Sequence, residues 1–126
     1  MNLDKVISGF FIIMAMTINF GFFYGDLDSL ETHSKYELFA AIVVNLIATT
    51  LKLGDKTQMG SVLLATSLVA DIQLIAAATV WTVAAYTMPT IDREVASMII
   101  SLSGGALLAN VTSVALYVGD TLKAKR

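Results

Sequence analysis

Residues 61–81, SVLLATSLVADIQLIAAATVW, are apolar around almost the whole circumference of any helix they form. A helix on the surface of a water-soluble protein shows a polar stripe on one side, and this stretch shows none. Residues 6–18 and 38–44 are hardly more polar. The chain is 56% hydrophobic and 14% charged, with a mean hydropathy of +0.76, against about 25% charged residues in ordinary soluble domains. Core helices of a soluble bundle are therefore the poorer reading, and lipid is the expected solvent for most of the surface.

A transmembrane helix takes about 17–25 mostly apolar residues, and the segments 6–24, 37–53, 61–88 and 95–118 fit that requirement. The predicted fold is all-α: an integral membrane bundle of four transmembrane helices, forming a single domain over 1–126. The first apolar run continues into Asn19, Phe20 and Tyr24 with no small-residue cleavage pattern, so it is expected to be a retained span. An acidic loop follows, holding Asp26, Asp28, Glu31, His33 and Lys35. His33 is most simply a loop residue, with pH sensing among Asp28, Glu31 and Glu37 as the sharper alternative. Ser34 and Glu37 fit a capping box, Gly54 suits a left-handed helix stop, and Asp55 is placed to cap the third helix. Pro89 ends that helix, Thr90 can cap the fourth, and Asp92 and Glu94 suit its dipole. Trp81 and Tyr86 read as anchors at a membrane interface.

Lys and Arg set the orientation. Lys5, Lys52, Lys56, Lys123, Lys125 and Arg126 fall on one side of a four-span arrangement, and only Lys35 and Arg93 on the other. That bias predicts both termini in the cytoplasm, with the turn of Lys52, Asp55, Lys56 and Thr57 on the same side.

The polar residues within the spans are the candidate site: Asp71, Asn45, Gln73, Asn19 and Asn110. An Asp at a helix centre costs about 2.5–3.5 kcal/mol to insert, and each Leu, Ile or Val returns about 0.3–0.6. Nine such aliphatic residues lie between positions 62 and 80, so the helix still inserts, with Asp71 expected to face a partner or water. Two readings stand beside each other: a carboxylate that binds a cation or proton, and a protonated Asp held by an Asn or Ser. Asn45 reaches a similar depth and is expected to frame one site with Asp71. No basic residue is expected there, since Lys52 and Lys56 lie near the cytoplasmic face. Glu37, Ala41, Asn45, Ala48, Thr49 and Lys52 form one polar or small stripe on the second span. Asp71 and Gln73 point in different directions, which suits two neighbours or a subunit interface. The Asn residues are expected mainly as interhelical glue.

On the fourth span Ser101, Gly105, Ala109 and Ser113 recur every four residues, a small-residue face that packs within the bundle or between subunits. With no Cys and one His, thiolate chemistry, disulfides and Ser-His or Cys-His catalytic sets are excluded, so an enzyme is not expected. The net charge of −2 and the lack of a basic stripe argue against nucleic acid. No cofactor is expected, and the sequence names no metal. The expected function is cation or proton translocation at Asp71, by a homo-oligomer or within a larger transport complex. The alternative is a non-transporting accessory subunit. Partners are the lipid bilayer, further copies or another membrane transport subunit, with a monovalent or divalent cation as the candidate ligand.

Leu53-Gly54-Asp55-Lys56-Thr57 is similar to the Glu-hydrophobic-Gly-Asp-(Lys/Arg)-(Ser/Thr) fingerprint of the calcium and manganese exchanger membrane family. Lys52 stands where that motif has Glu, so the resemblance would carry a cation-binding role only to Asp55 and Thr57. The stretches NFGFFYGD, HSKYELFAAIVVNLIATTLKLGD and TSLVADIQLIAAATVW resemble small uncharacterised bacterial four-span membrane proteins. That resemblance implies a multi-pass protein of a bacterial inner membrane and brings no activity with it.

Overall fold

The computed structural model describes residues 2–55 and 57–124. The readings of Lys56 in the turn, and of Lys125 and Arg126 in the charge bias, lie outside the described residues. Four helices follow one another: α1 (Leu3–Phe23), α2 (Lys35–Lys52), α3 (Gln58–Thr87) and α4 (Arg93–Ala124). Each packs on the next and α4 closes the ring on α1, and among the described residues the backbones do not approach closely across either diagonal. This is an up-down-up-down four-helix bundle.

The helix ends are built by local chemistry. Asn2 caps α1, its side chain accepting from the amides of Asp4 and Lys5. Ser34 caps α2 by accepting from the Glu37 amide at 3.3 Å. The Glu37 carboxylate does not complete that box; it lies against Gly21 of α1, where a side-chain carbon would collide with it. Three expectations shift position. Gly54 does not take a left-handed conformation; the chain instead closes a short turn through amides of Leu53 and Asp55 onto carbonyls of Thr50 and Lys52. The cap of α3 is Thr57, with Asp55 supporting it from outside the helix. Asp92, not Thr90, begins α4, accepting from the Val95 amide at 2.9 Å. The caps of α3 and α4 each move by only two residues, because Asp and Thr are both able to cap at either place. Among the described residues the one with positive φ is Gly25, at φ 141°, just after α1 ends.

Three helices, α1, α3 and α4, are long and apolar enough to cross a membrane. At 1.5 Å per residue the 30 residues of α3 reach about 45 Å and the 18 of α2 about 27 Å. Lys35, Glu37 and Lys52 crowd the ends of α2, which keeps it out of that group. Phe10, Phe20, Phe39, Leu68, Val69, Ile72 and Leu108 point outward. The buried core is unusually small in side chain: Ala41, Ala70, Ala77 and Ala106 are interspersed with Phe22, Leu38, Leu74 and Ile99. Small residues inside and large aliphatic ones outside invert the order of a water-soluble core. In lipid, close backbone approach and polar contacts between helices replace the hydrophobic drive to associate. Trp81 is half-buried and packs its ring 6.0 Å from that of Phe22, while Tyr86 is exposed.

Candidate functional site

The interior polar groups sort themselves by helix pair. Between α2 and α3 lie Thr49, Lys52, Ser67 and Asp71, all buried. Asp71 is 14th of the 30 residues of α3 and so sits near its middle. The Thr49 hydroxyl lies 2.5 Å from Asp71 Oδ2 and 2.9 Å from the main-chain oxygen of Asn45. Asp71 Oδ1 is buried and has no hydrogen-bond partner. One turn away on the same face, Ser67 Oγ accepts a hydrogen bond from Lys52 Nζ, which also reaches the Leu63 carbonyl at 3.5 Å.

Two sequence readings are corrected here. A basic group does come near Asp71: Lys52 is only 6% exposed, and its ammonium bonds Ser67, one turn from Asp71. It lies on the same face as Asn45 and Thr49, so the helical twist that buries those two buries its Cα as well. Asn45 does not meet Asp71 through its side chain. Its Nδ2 donates 2.7 Å to the Ala41 carbonyl of its own helix, and the link to Asp71 runs through Thr49 and the Asn45 backbone.

Lys52 also lines a cleft of about 210 Å³ at this end of the bundle. Asp4, Lys5, Asp55, Tyr117 and Asp120 share its wall, and the Tyr117 hydroxyl ties α4 to α1 by donating to the Lys5 carbonyl. Lys52 is thus the residue common to the charged cleft and to the buried face of Asp71. Asp55 on its wall is occupied with Thr57: Asp55 Oδ1 accepts from the Thr57 amide at 2.9 Å and from its hydroxyl at 2.7 Å. These bonds, the hydroxyl first, hold the Asp55 carboxyl below the ordinary carboxylate range. A helix cap accounts for both residues.

The other candidates lie elsewhere. Asn110 Nδ2 donates to Asn19 Oδ1, and Asn19 Nδ2 donates to the Ser103 carbonyl, each at 3.0 Å, joining α1 to α4. Gln73 faces α4, where its amide fills the space that a Cβ on Gly105 would need, and its Oε1 is buried without a partner. Ser113 pairs with Thr66, again across α3 and α4. Gly105, Ala109 and Ser113 thus pack inside the bundle while Ser101 stays exposed. Sequence reasoning missed Ser103, whose carbonyl gives no signal in a sequence, and the inward course of Lys52, which the stripe on α2 did carry.

Residues 32–121 match the model of DUF6394, a family of unknown function, and the chain belongs to that family. The matched segment contains Thr49, Lys52, Ser67 and Asp71 but not α1. No curated protein and no solved structure matches the chain, and nothing found supports the likeness of residues 53–57 to the cation exchangers.

Proposed function

We propose that this chain is a four-span membrane protein, with both ends in the cytoplasm, that translocates protons through a polar site centred on Asp71. The observation that carries the reading is the state of that carboxyl. One oxygen is buried with no partner, and the other shares a single Thr49 hydroxyl with the Asn45 carbonyl. A hydroxyl owns one proton. Serving both oxygens at these distances asks Asp71 to bring a proton of its own. Loss of that proton leaves a charge that Lys52, held one turn away at Ser67, is placed to compensate.

The ammonium also bears on the ion. A metal cation at Asp71 would stand close to Lys52 and find one carboxylate and one hydroxyl, a poor exchange for its water shell. A proton needs no such cage. The charged cleft lined by Asp4, Lys5, Asp55 and Asp120 offers an approach to Lys52 from outside the bundle. The Lys and Arg bias puts that cleft on the cytoplasmic side, and the length and apolar outer face of α1, α3 and α4 support a membrane location. In this reading α2, too short and charged at its ends to qualify alone, crosses upright between α1 and α3.

The test is flux from proteoliposomes holding the purified protein, with protons, Na⁺, K⁺, Mg²⁺ and Ca²⁺ measured in parallel. Proton flux above that of empty liposomes is the expected result. Flux of a metal cation without protons would move the assignment to that cation, and absence of any flux from correctly folded protein would leave the accessory-subunit reading.

A further inference from the structure

His33 sits in the loop between α1 and α2, only 7% exposed, and both of its ring nitrogens are engaged. Nδ1 lies 2.6 Å from the carbonyl oxygen of Phe22, and Nε2 lies 2.6 Å from that of Asp26. A carbonyl oxygen only accepts. A neutral imidazole has one N–H and one lone pair, so in either tautomer one of these contacts would set a lone pair against a carbonyl oxygen. Both are satisfied only when both nitrogens carry protons. We infer that His33 is a pH-operated latch: as an imidazolium it pins the loop to the end of α1, and on losing a proton it releases it.

The setting favours a cation at that point. Phe22 lies in the last turn of α1, where carbonyls lack helical partners and the helix dipole is negative. The imidazolium therefore caps α1 from the far side of the loop, with its ring 5.4 Å from that of Phe22. Gly25, at φ 141°, makes the reversal possible, since a side chain there would strike the Thr32 hydroxyl and approach the imidazole. Thr32 in turn accepts from the Asp26 amide at 2.9 Å, which fixes the second carbonyl of the latch. The ionisable groups at this end are Tyr24, Asp26, Asp28 and Glu31 before His33, Lys35, Tyr36 and Glu37 at the start of α2, Tyr86 in α3, and Asp92, Arg93 and Glu94 around the start of α4. Among the described residues the ion pair here is Arg93 with Asp28, at 2.8 Å, and His33 has none. The latch is thus made of two backbone carbonyls rather than a carboxylate.

His33 immediately precedes Ser34, the cap of α2. Its protonation therefore sets the joint between α1 and α2, the helix that presents Thr49 and Lys52. The inference stands whether or not the chain moves protons.

As the chain has one His, every imidazole signal belongs to this residue. Protein labelled with ¹⁵N-histidine, in lipid nanodiscs, is examined by NMR together with amide exchange at about pH 5 and about pH 8, the span over which imidazoles change charge. At the lower pH both ring nitrogens are expected to carry protons and the amides of Asp26, Glu31 and His33, which have acceptors in the loop, to be protected. At the higher pH one proton is lost and their protection, corrected for intrinsic exchange, falls by about tenfold or more, as expected for losing a charged hydrogen bond. In His33→Phe, which keeps a ring against Phe22, loop protection is expected to be low and equal at both pH values. A neutral ring in the folded protein at the lower pH, or loop protection unchanged while the ring titrates, would overturn the inference. So would a pH response that survives in His33→Phe.

Discussion

Replacing Asn19 and Asn110 singly and together measures what the α1–α4 polar link contributes. Asn110→Ala removes the donor to Asn19 Oδ1 and leaves that oxygen in a site that is 0% exposed. Asn19→Ala removes two bonds and leaves Asn110 Nδ2 without its acceptor, while the Ser103 carbonyl keeps its place in the α4 ladder. A stranded buried polar group costs about 1–3 kcal/mol in folded proteins. Interhelical bonds in bilayers average nearer about 0.6, with an upper range near 2, because the separated helices also find partners. We therefore expect Asn110→Ala to cost about 1 kcal/mol and Asn19→Ala roughly twice that. In the double variant the bond between them is lost only once, so the two costs should fall short of adding, by about 0.5–1 kcal/mol. The assay is reversible unfolding in mixed micelles with increasing denaturing detergent, followed by helix content. Additive costs, or Asn110→Ala costing more than Asn19→Ala, would refute the arrangement.

Single cysteines at Glu31 and Gln58, both exposed and introduced into a chain without native Cys, should react from opposite sides of the membrane in intact cells; reaction of both with an impermeant reagent from outside would defeat the four-span topology. Where Asp71 has given up its proton, Lys52→Met should cost stability in the wild-type background and less in Asp71→Asn, with a coupling of about 1 kcal/mol; equal costs in the two backgrounds across the whole pH range would show that the groups do not interact. The hydrogen bonds of Thr57 hold Asp55 below the ordinary carboxylate range. Its contribution to the turn is therefore fully present above the unfolded-state value and lost as pH falls through the lower folded-state value. Amide protection at Gly60 should fall only in strong acid, and Asp55→Ala should abolish that acid step.

Much of the bundle is legible in the sequence because apolar length and capping chemistry are local properties. The turns after α1 and α2 and the break at Pro89 all fall where the apolar runs are interrupted, and the helix bounds lie close to those of the spans, except that α4 continues through the polar residues after 118 to Ala124. The separate directions of Asp71 and Gln73 are likewise contained in the angle between them on one helix, and they meet α2 and α4 respectively. Partnership was harder to read. Asn45 and Thr49 share a face, and nothing in their spacing says which one the neighbouring helix approaches. The position of Lys52 at the end of its span sets it apart from the depth of Asp71, but Ser67 and the Leu63 carbonyl offer its ammonium acceptors inside the bundle. His33 is a further case, since its two acceptors are backbone oxygens and no side chain signals them.

Proton flux through Asp71→Asn protein tests the central claim most directly. Asn keeps the size of Asp and can still hydrogen-bond Thr49, but it cannot take up and release a proton. Reconstituted beside wild type, at equal incorporation and with the same helix content, the variant is expected to show proton flux no greater than that of empty liposomes. Wild-type flux from a correctly folded Asp71→Asn protein would contradict the account.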